Sequence, residues 1–376
     1  MSLIHIPLDL YSNLLQPILQ VLLPQSQNPD FLPGGIEGLT TDNQHGFLNI
    51  SVTPIECSVV CHSAWAKKVF EPAIKKLPKE QSRRVSISKD SYAVFSVISA
   101  GMDAGSRVVD LTSPLALANI PIFFITTYYS DFILVPTKDR QSVVQALLAR
   151  GFVFSENESS FKSPATASHN RGSSHPSEPP TTPTPSNVRD LQGRVFELLK
   201  KRSVVPYIDD DLILVQCSGG KNSSYDGYSH RPHIGRSNTG GNGSQRKGSW
   251  VDTVDSRLYT SLITALVSQP RFLSVTLAQD DEPSLLLDKS LLGIFGDSLV
   301  GPTEGNLVPI FLDLVNLPFE ATGIVSGVAG KLVQDMDMQE SSELSYLSTA
   351  RAGAVILPSE QSVKALEILR PLLVKE

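Results

Sequence analysis

Residues 123–136, FFITTYYSDFILVP, return near the far end of the chain as YLSTARAGAVILP, residues 346–358. The two stretches align without a gap: Thr126 falls on Ser348, Thr127 on Thr349 and Pro136 on Pro358. Each reads as two short apolar strands about a polar turn, followed by a proline and by Thr137 or Ser359 as the cap of an amphipathic helix. The helices correspond as well, QSVVQAL from Gln141 and QSVKAL from Gln361, with two extra residues in the first copy's connection. So long a repeat period points to duplicated units rather than to a solenoid of small ones.

Working outward, residues 2–7 predict a strand and Leu8–Leu23 a helix, with Tyr11, Leu14, Leu15, Ile18 and Leu22 on one stripe. Pro17 inside that run predicts a kink there or a helix that becomes regular only from that point. FLNISVT at 47–53 and ECSVVCH at 56–62 read as neighbouring strands, Ala64–Leu77 as a helix and VSIS at 85–88 as a fourth strand. The order strand, helix, strand, strand, helix, strand then starts again with YAVFSVI at 92–98, a loop at Gly101–Gly105 and a helix bending near Pro114. It continues through the quoted strand pair and the helix Ser142–Arg150 to FVFS at 152–155.

Residues 156–190 are rich in Ser, Thr, Pro and Asn and hold too little apolar surface to offset the entropy of ordering, which predicts a disordered linker. Beyond it, Leu191–Lys201 reads as a helix and LILVQC at 212–217 as a strand, before a low-complexity insertion at 219–250. LYTSLITAL at 258–266 and FLSVTLA at 272–278 echo LYSNLLQPIL and FLNISVT of the first unit, and SLLLDKSLLGIF supplies the next strand and helix. LVPIFLDLV at 307–315, a loop NLPFEAT, and the helix GIVSGVAGKLVQDM lead into the second copy of the opening motif. The inferred architecture is α+β: four βαββαβ ferredoxin-like modules in two tandem pairs, with antiparallel sheets carrying helices on one face. The expected boundaries are 1–90, 91–155, 156–190 for the linker, 191–306 including the insertion, and 307–376.

A chain of 376 residues exceeds what one core usually accommodates, which agrees with duplication. Its 41% apolar and 19% charged content is that of a globular protein, diluted by 25 Gly and 26 Pro gathered in polar stretches. No apolar run approaches the ~20 residues of a membrane-spanning helix, and the start MSLIHIPLDLYS carries no secretory pattern, so a cytoplasmic protein with no membrane association is expected. The net charge of −6 argues against nucleic acid as a partner. Cys57, Cys61 and Cys217 make no even disulfide set and fit a reducing compartment.

GIVSGVAGKL at 323–332, together with turn-plus-strand segments ending in ILP or LVP, resembles the ACT domain family of small amino-acid-binding regulatory modules. TTYYSDFILV resembles more closely the corresponding phrase of the CASTOR family, cytosolic arginine sensors acting upstream of the target-of-rapamycin complex; FLNISVTPIECSVV and FEATGIVSGVAG resemble that family's counterparts. The resemblance spans both halves apart from the linker and insertion, and it implies an amino acid held between the second and fourth modules. The positions it implicates are Ile122, the loop and helix start Phe319, Glu320, Ala321, Thr322, Gly323, Ile324 and Val325, and the turn Thr349, Ala350, Arg351, Ala352 and Gly353. A helix amino end with free backbone N–H groups suits an α-carboxylate.

The carboxylates with which that family holds arginine fall on Ala321 and Gly353, and a pocket serine falls on Pro121. A buried guanidinium needs paired acceptors, so a smaller or apolar amino acid suits these positions better than arginine. The resemblance also implies that Tyr128, Tyr129 and Asp131 form a turn that holds a protein partner, a regulatory complex of the target-of-rapamycin pathway; Tyr129 stands where the family has glutamine. A homodimer is left open.

Two rival readings remain: a regulatory subunit conferring feedback control on an amino-acid biosynthetic enzyme, and a scaffold whose seam binds nothing. Catalytic motifs are absent from the sequence, no cofactor is implied, and no metal site is expected. Cys57 and Cys61 share a strand face that His62 does not, which favours buried thiols over ligands. His230 and His233 read as solvated, and GGKNSS at 219–224 lacks the spacing of a phosphate loop. Ser249, Thr182 and Thr184 are candidate phosphorylation sites in the linker and insertion.

Overall fold

The computed structural model describes residues 1–23, 46–97, 104–153, 187–219, 255–278, 281–318, 320–336 and 344–374. Its strands are β1 (Ser2–Ile6), β2 (Phe47–Val52), β3 (Cys57–Cys61), β4 (Ser86–Ile87), β5 (Tyr92–Val97), β6 (Phe123–Thr126), β7 (Asp131–Pro136), β8 (Tyr207–Ile208), β9 (Leu214–Gly219), β10 (Leu273–Ala278), β11 (Ser284–Asp288), β12 (Leu299–Val300), β13 (Leu307–Asp313), β14 (Ser345–Ser348) and β15 (Ala352–Pro358). The helices are α1 (Tyr11–Leu22), α2 (Ser63–Trp65), which continues through a π turn into α3 (Glu71–Lys75), then α4 (Lys79–Ser82), α5 (Ala104–Leu117), α6 (Arg140–Leu148), α7 (Val188–Lys201), α8 (Ser256–Val267), α9 (Leu292–Phe295), α10 (Ile324–Asp335) and α11 (Ser359–Leu373).

Every strand pairing is antiparallel, and the strands fall into two runs. One is β4-β1-β3-β2-β10-β11-β9 with β12 beside β9; the other is β13-β15-β14-β6-β7-β5 with β8 beside β13. The runs join through one residue pair, Leu214 with Leu307. A second link lies between β1 and β5, where Met1 and Tyr92 exchange backbone hydrogen bonds of 2.7 and 2.8 Å.

The recurring stretches meet each other at the middle of the second run. Ile125 of β6 pairs with Leu347 of β14, and these are equivalent positions of the repeat. On either side the equivalent hydroxyls act reciprocally. Ser348 Oγ accepts from Phe124 N–H at 3.0 Å, and Thr126 Oγ1 accepts from Tyr346 N–H at 3.0 Å. A local twofold relation follows, and the first run repeats it with Ile50 opposite Val275. There the buried Asn49 side-chain amide donates to Ser274 Oγ at 3.2 Å and Thr276 Oγ1 at 3.0 Å, so the polar groups of the seam are satisfied without water. Pairing these edges removes the unpaired strands that would otherwise be open to association.

Alternation along each strand sorts side chains into three apolar layers. In β3, Cys57, Val59 and Cys61 join a core with α1 and α8, while Val60 faces the other way. In β7, Ile133 and Val135 join a core with α5, α7 and α10, while Phe132 and Leu134 face the same central layer as Val60. That central layer draws on both strand runs, with the Phe47 and Phe132 rings 4.9 Å apart and Phe272 and Phe311 6.1 Å apart. Helices therefore cover one face of each run, as the sequence predicts. The other face packs on the second run, which is why β2, β3 and β7 are buried at every position.

Glu56, between β2 and β3, is a carboxylate with no exposure at all. Its Oε1 accepts from Thr349 Oγ1 at 2.6 Å and from Arg351 N–H at 2.5 Å, and its Oε2 is in close contact with His5 Nδ1. Ala350 N–H donates to Ser58 Oγ at 3.1 Å. The turn between β14 and β15 is thus fastened to the opposite run by a buried charge-assisted cluster.

Several local expectations are corrected. α1 is already helical from Tyr11, so its regular part does not begin at Pro17; both Pro17 and Pro114 lie inside their helices. Thr137 and Ser359 do not cap helices through their side chains; Thr137 Oγ1 donates instead to Ser91 O at 3.0 Å. Phe152 and Val153 belong to no strand. α7 and β8 precede β9 in sequence yet pack on α10 and pair with β13, so residues 188–208 do not accompany the strand they lead into. The expected linker, apart from its last residues 187–190 at the start of α7, and the insertion beyond Gly219 lie outside the described residues. So do His230, His233, Thr182, Thr184 and Ser249.

Replacing Glu56 by Ala should lower stability by about 3 kcal/mol, because the acceptor shared by Thr349 Oγ1, Arg351 N–H and His5 Nδ1 is lost from a buried seam and only Thr349 keeps a second acceptor, Ala352 O. Urea denaturation of Glu56→Ala against the parent protein measures it, and a change below about 1 kcal/mol would remove the carboxylate from its central place.

Candidate functional site

A cavity of about 60 Å³ lies where the loop after β13, the amino end of α10 and the β14–β15 turn converge, with the start of β6 alongside. Each wall has a local cause. The loop is drawn in by Leu314 N–H donating to Arg351 O at 2.9 Å and turned by Ala321 N–H donating to Pro318 O at 3.1 Å. It ends at Gly323, whose φ of 79° is in the left-handed region. A Cβ at that position would also stand 2.7 Å from Leu191 Cδ1 of α7, so glycine is required twice over. The β14–β15 turn is held by Thr349 N–H donating to Ala352 O at 2.9 Å and by the Glu56 cluster.

The structure brings most of the sequence-derived positions to this one place. Ile122, Ala321, Gly323, Ile324, Val325, Thr349, Ala350, Arg351 and Ala352 all line the cavity. Glu320 is exposed and does not line it. Thr322 turns to Asn119, its Oγ1 donating to Oδ1 at 3.0 Å. Phe319 lies outside the described residues. Gly353 is buried behind the wall: a Cβ there would come within 2.5 Å of Tyr346 Oη. The space a side chain at 353 would enter already holds a phenol.

Tyr346 is the residue sequence reasoning missed. It is 1% exposed, it lines the cavity, and burial raises its phenol far above the ordinary range, so the hydroxyl stays neutral. A signal was present, since the first copy has Phe124 at the equivalent position and the second adds a hydroxyl within an otherwise apolar strand. Leu314, Leu317, Pro318, Phe123 and Ser348 complete the lining. Arg351 is the one lining residue with a charged side chain, which makes the place mainly apolar and small. By volume it admits roughly four to six water-sized probes, enough for a compact polar head and too little for a long side chain.

The partner-turn residues separate. Tyr129 is 52% exposed. Tyr128 is half-buried: its N–H donates to Ser284 Oγ at 2.8 Å, its ring lies edge-on to Tyr129 at 4.8 Å, and a Cβ on Gly301 would meet it at 2.9 Å. Asp131 does not join a surface with them. It has no exposure and forms an ion pair with Arg107, because the first residue of β7 points inward. Burial pushes its carboxyl up to about 6, outweighing the opposing pull of Arg107 and a hydrogen bond from Thr126.

Cys57, Cys61 and Cys217 are buried free thiols, and burial pushes Cys61 up to about 12 and Cys217 up to about 11, which makes them inert. Among the described residues there is no group of three or more His, Cys, Asp or Glu side chains placed to hold a metal ion. No described helix is long and apolar enough to cross a membrane.

Residues 87–149, from β4 to the end of α6, match the ACT domain family. No curated protein matches the chain. The crystal structure of aspartate kinase from Synechocystis is similar at 12% identity and a TM-score of 0.29, over 100% of this chain and 55% of that one. The chain thus spans little more than half the length of that protein.

Gly353→Ala should cost about 1–3 kcal/mol through the forced shift of Tyr346, and Tyr346→Phe in the same chain should recover part of it. A double-mutant cycle by chemical denaturation reads the coupling. For Asp131, the folded pKa is raised, so the folded state keeps a proton that the unfolded chain releases. Stability should therefore fall as pH rises from about 4 to about 6 and level off above, by on the order of 3 kcal/mol. Denaturation across that window should show the slope flattened in Asp131→Asn.

Proposed function

We propose that the chain consists of four βαββαβ units in two edge-to-edge pairs and that it is a non-enzymatic regulator which binds a free amino acid between the second and fourth. The orders β4-β1-β3-β2 and β12-β9-β11-β10 support the division, as do β8-β13-β15-β14 and β5-β7-β6, in which the first strand always neighbours the third. The fourth unit, 307–376, borrows α7 and β8 from upstream in this reading. The ACT match at 87–149 falls on the second unit, 91–155, and supports amino-acid-dependent regulation.

One observation carries the proposal: the loop and α10 of the last unit, the second-copy turn and the first-copy strand enclose a single cavity. A carboxylate there meets the amino end of α10, and Thr349, Arg351 and Tyr346 supply further polar groups at the walls. Ala321, Ala352 and the filled space beside Gly353 select a small amino acid over arginine. The ligand acts by differential affinity. It favours the arrangement in which loop 314–323 and the β14–β15 turn are closed, and the turn is fastened through Glu56 to the other strand run. The protein partner is a regulatory complex of target-of-rapamycin type signalling in the cytoplasm. Tyr129, exposed and backed by Tyr128, is its contact, and Asp131 supports the turn from inside.

Thermal unfolding in the presence of each of the twenty amino acids tests the reading. One or more small amino acids should stabilise the protein, by about 2.7 kcal/mol at a hundredfold excess over Kd, and Ala321→Leu, which fills the cavity, should abolish the response. A flat panel would leave a scaffold with an empty seam.

A further inference from the structure

Residues 67–84 carry seven Lys and Arg against two Glu, a net +5 in a chain of net −6. Helical spacing sorts them. Trp65, Ala66, Val69, Phe70 and Ile74 are buried in the core beside α1, which leaves Lys67, Lys68, Lys75, Lys76 and Lys79 exposed on the opposite side of the stretch α2–α4. Acidic neighbours neutralise little of this. Arg83 pairs with Glu80 at 3.0 Å and Arg84 with Asp9 at 2.6 Å, while Lys75 stands 3.8 Å from Glu71 with its own side chain 77% exposed. Among the described residues, Lys67, Lys68, Lys76 and Lys79 have no ion-pair partner.

The fold does not require this charge. In the four-unit division the same place belongs to α6, α9 and α11, of which α6 carries Arg140 alone, α9 no charged residue and α11 two of each sign. The kind of charge narrows the partner. Both arginines are engaged within the chain, so the free charges are all ammonium groups, hydrated point charges without the planar fork that fits one carboxylate or phosphate in one geometry. Such groups suit a fluid array of anions better than a single defined one. Nucleic-acid bases would need rings to stack on, and Trp65 and Phe70 are both buried. Cytoplasmic leaflets present a fluid anionic array through phosphatidylserine and phosphatidylinositol, and a cluster of about four to eight basic side chains is enough to bind it.

We propose that the lysine face of α2–α4 is a docking surface for anionic phospholipid bilayers. Lys67, Lys68, Lys75, Lys76 and Lys79 lie over the headgroup phosphates and carboxylates, the apolar side of the helices stays in the core, and no segment enters the hydrocarbon. The absence of a spanning run, from which no membrane association is expected, does not bear on a surface contact of this kind. The assignment rests on the charge and its place in the fold, and holds whatever occupies the cavity at α10.

Co-sedimentation of the full chain with vesicles of phosphatidylcholine, alone or with about 30% phosphatidylserine, tests it. The anionic vesicles should bind about tenfold more tightly than the neutral ones, and raising the ionic strength from about 0.05 M to about 0.5 M should release the protein, because exposed charges are then screened. That readout needs no variant to fold. Lys67→Gln, Lys68→Gln, Lys75→Gln, Lys76→Gln and Lys79→Gln combined should weaken binding about tenfold, with far-UV circular dichroism checking the fold. Lys138→Gln, Lys201→Gln and Lys364→Gln combined, at three exposed lysines elsewhere, should leave it within about twofold. Failure to bind anionic vesicles, equal binding to neutral ones, or binding kept by the fivefold variant would overturn the proposal. So would polyglutamate or duplex DNA held more tightly than the vesicles through the same five lysines, which would give the face to a protein or nucleic-acid partner.

Discussion

The edge pairing of β6 with β14 is the contact on which the rest of the structure depends. A three-stranded unit left alone presents an open edge and two apolar faces, and helices can cover only one of those faces. Joining the two copies of the repeat closes the edge. The reciprocal bonds from Phe124 N–H to Ser348 and from Tyr346 N–H to Thr126 supply the pairing where a continuous ladder does not form. The joined strands then offer a surface broad enough for the second run to cover, and the central layer of Phe47, Phe132, Phe272 and Phe311 follows from that.

Once two runs are stacked, their turns meet polar groups of the opposite run. Glu56 shows how that is resolved. A carboxylate between apolar strands would be costly alone, but two donors from the β14–β15 turn and the His5 imidazole satisfy it. The same bonds fix the turn that walls the cavity at the amino end of α10. Fold stability and site geometry are therefore linked through one side chain, and a ligand that favours the closed turn favours the packing of the two runs. On the other side of the molecule, Tyr128 and Ser284 make the corresponding turn contact without a charge.

Small residues decide what the cavities can hold. Gly323 and Gly327 let α7 lie directly on α10, since a Cβ at Gly327 would meet Val195 at 2.9 Å. Gly353 lets the Tyr346 phenol occupy space that a carboxylate would otherwise enter. The smaller cavity thereby loses room and charge together. A larger cavity beside Leu8, Tyr11 and Val52 keeps an acid and a base in its lining, Asp209 and Arg271, with side chains 30% and 49% exposed.

The sequence alone determined the repeat, the alternation of strands and helices and the antiparallel strand pairs, which are written in local periodicity and turn chemistry, where each residue's role depends on near neighbours. The neighbourhood at 321–325 and 349–352 came from the family resemblance and not from those patterns. Tertiary structure alone decided the rest. Asp131 reads like a surface turn residue, but the face it takes in β7 buries it on Arg107. α7 and β8 belong in space to a unit that follows much later in the chain, and Tyr346 meets Gly353 only once β14 and β15 are paired. Asp209 and Arg271 are 62 residues apart and become a pair only when the start of β10 is brought to the end of β8. These outcomes depend on which faces meet at long range, and local pattern carries no record of that.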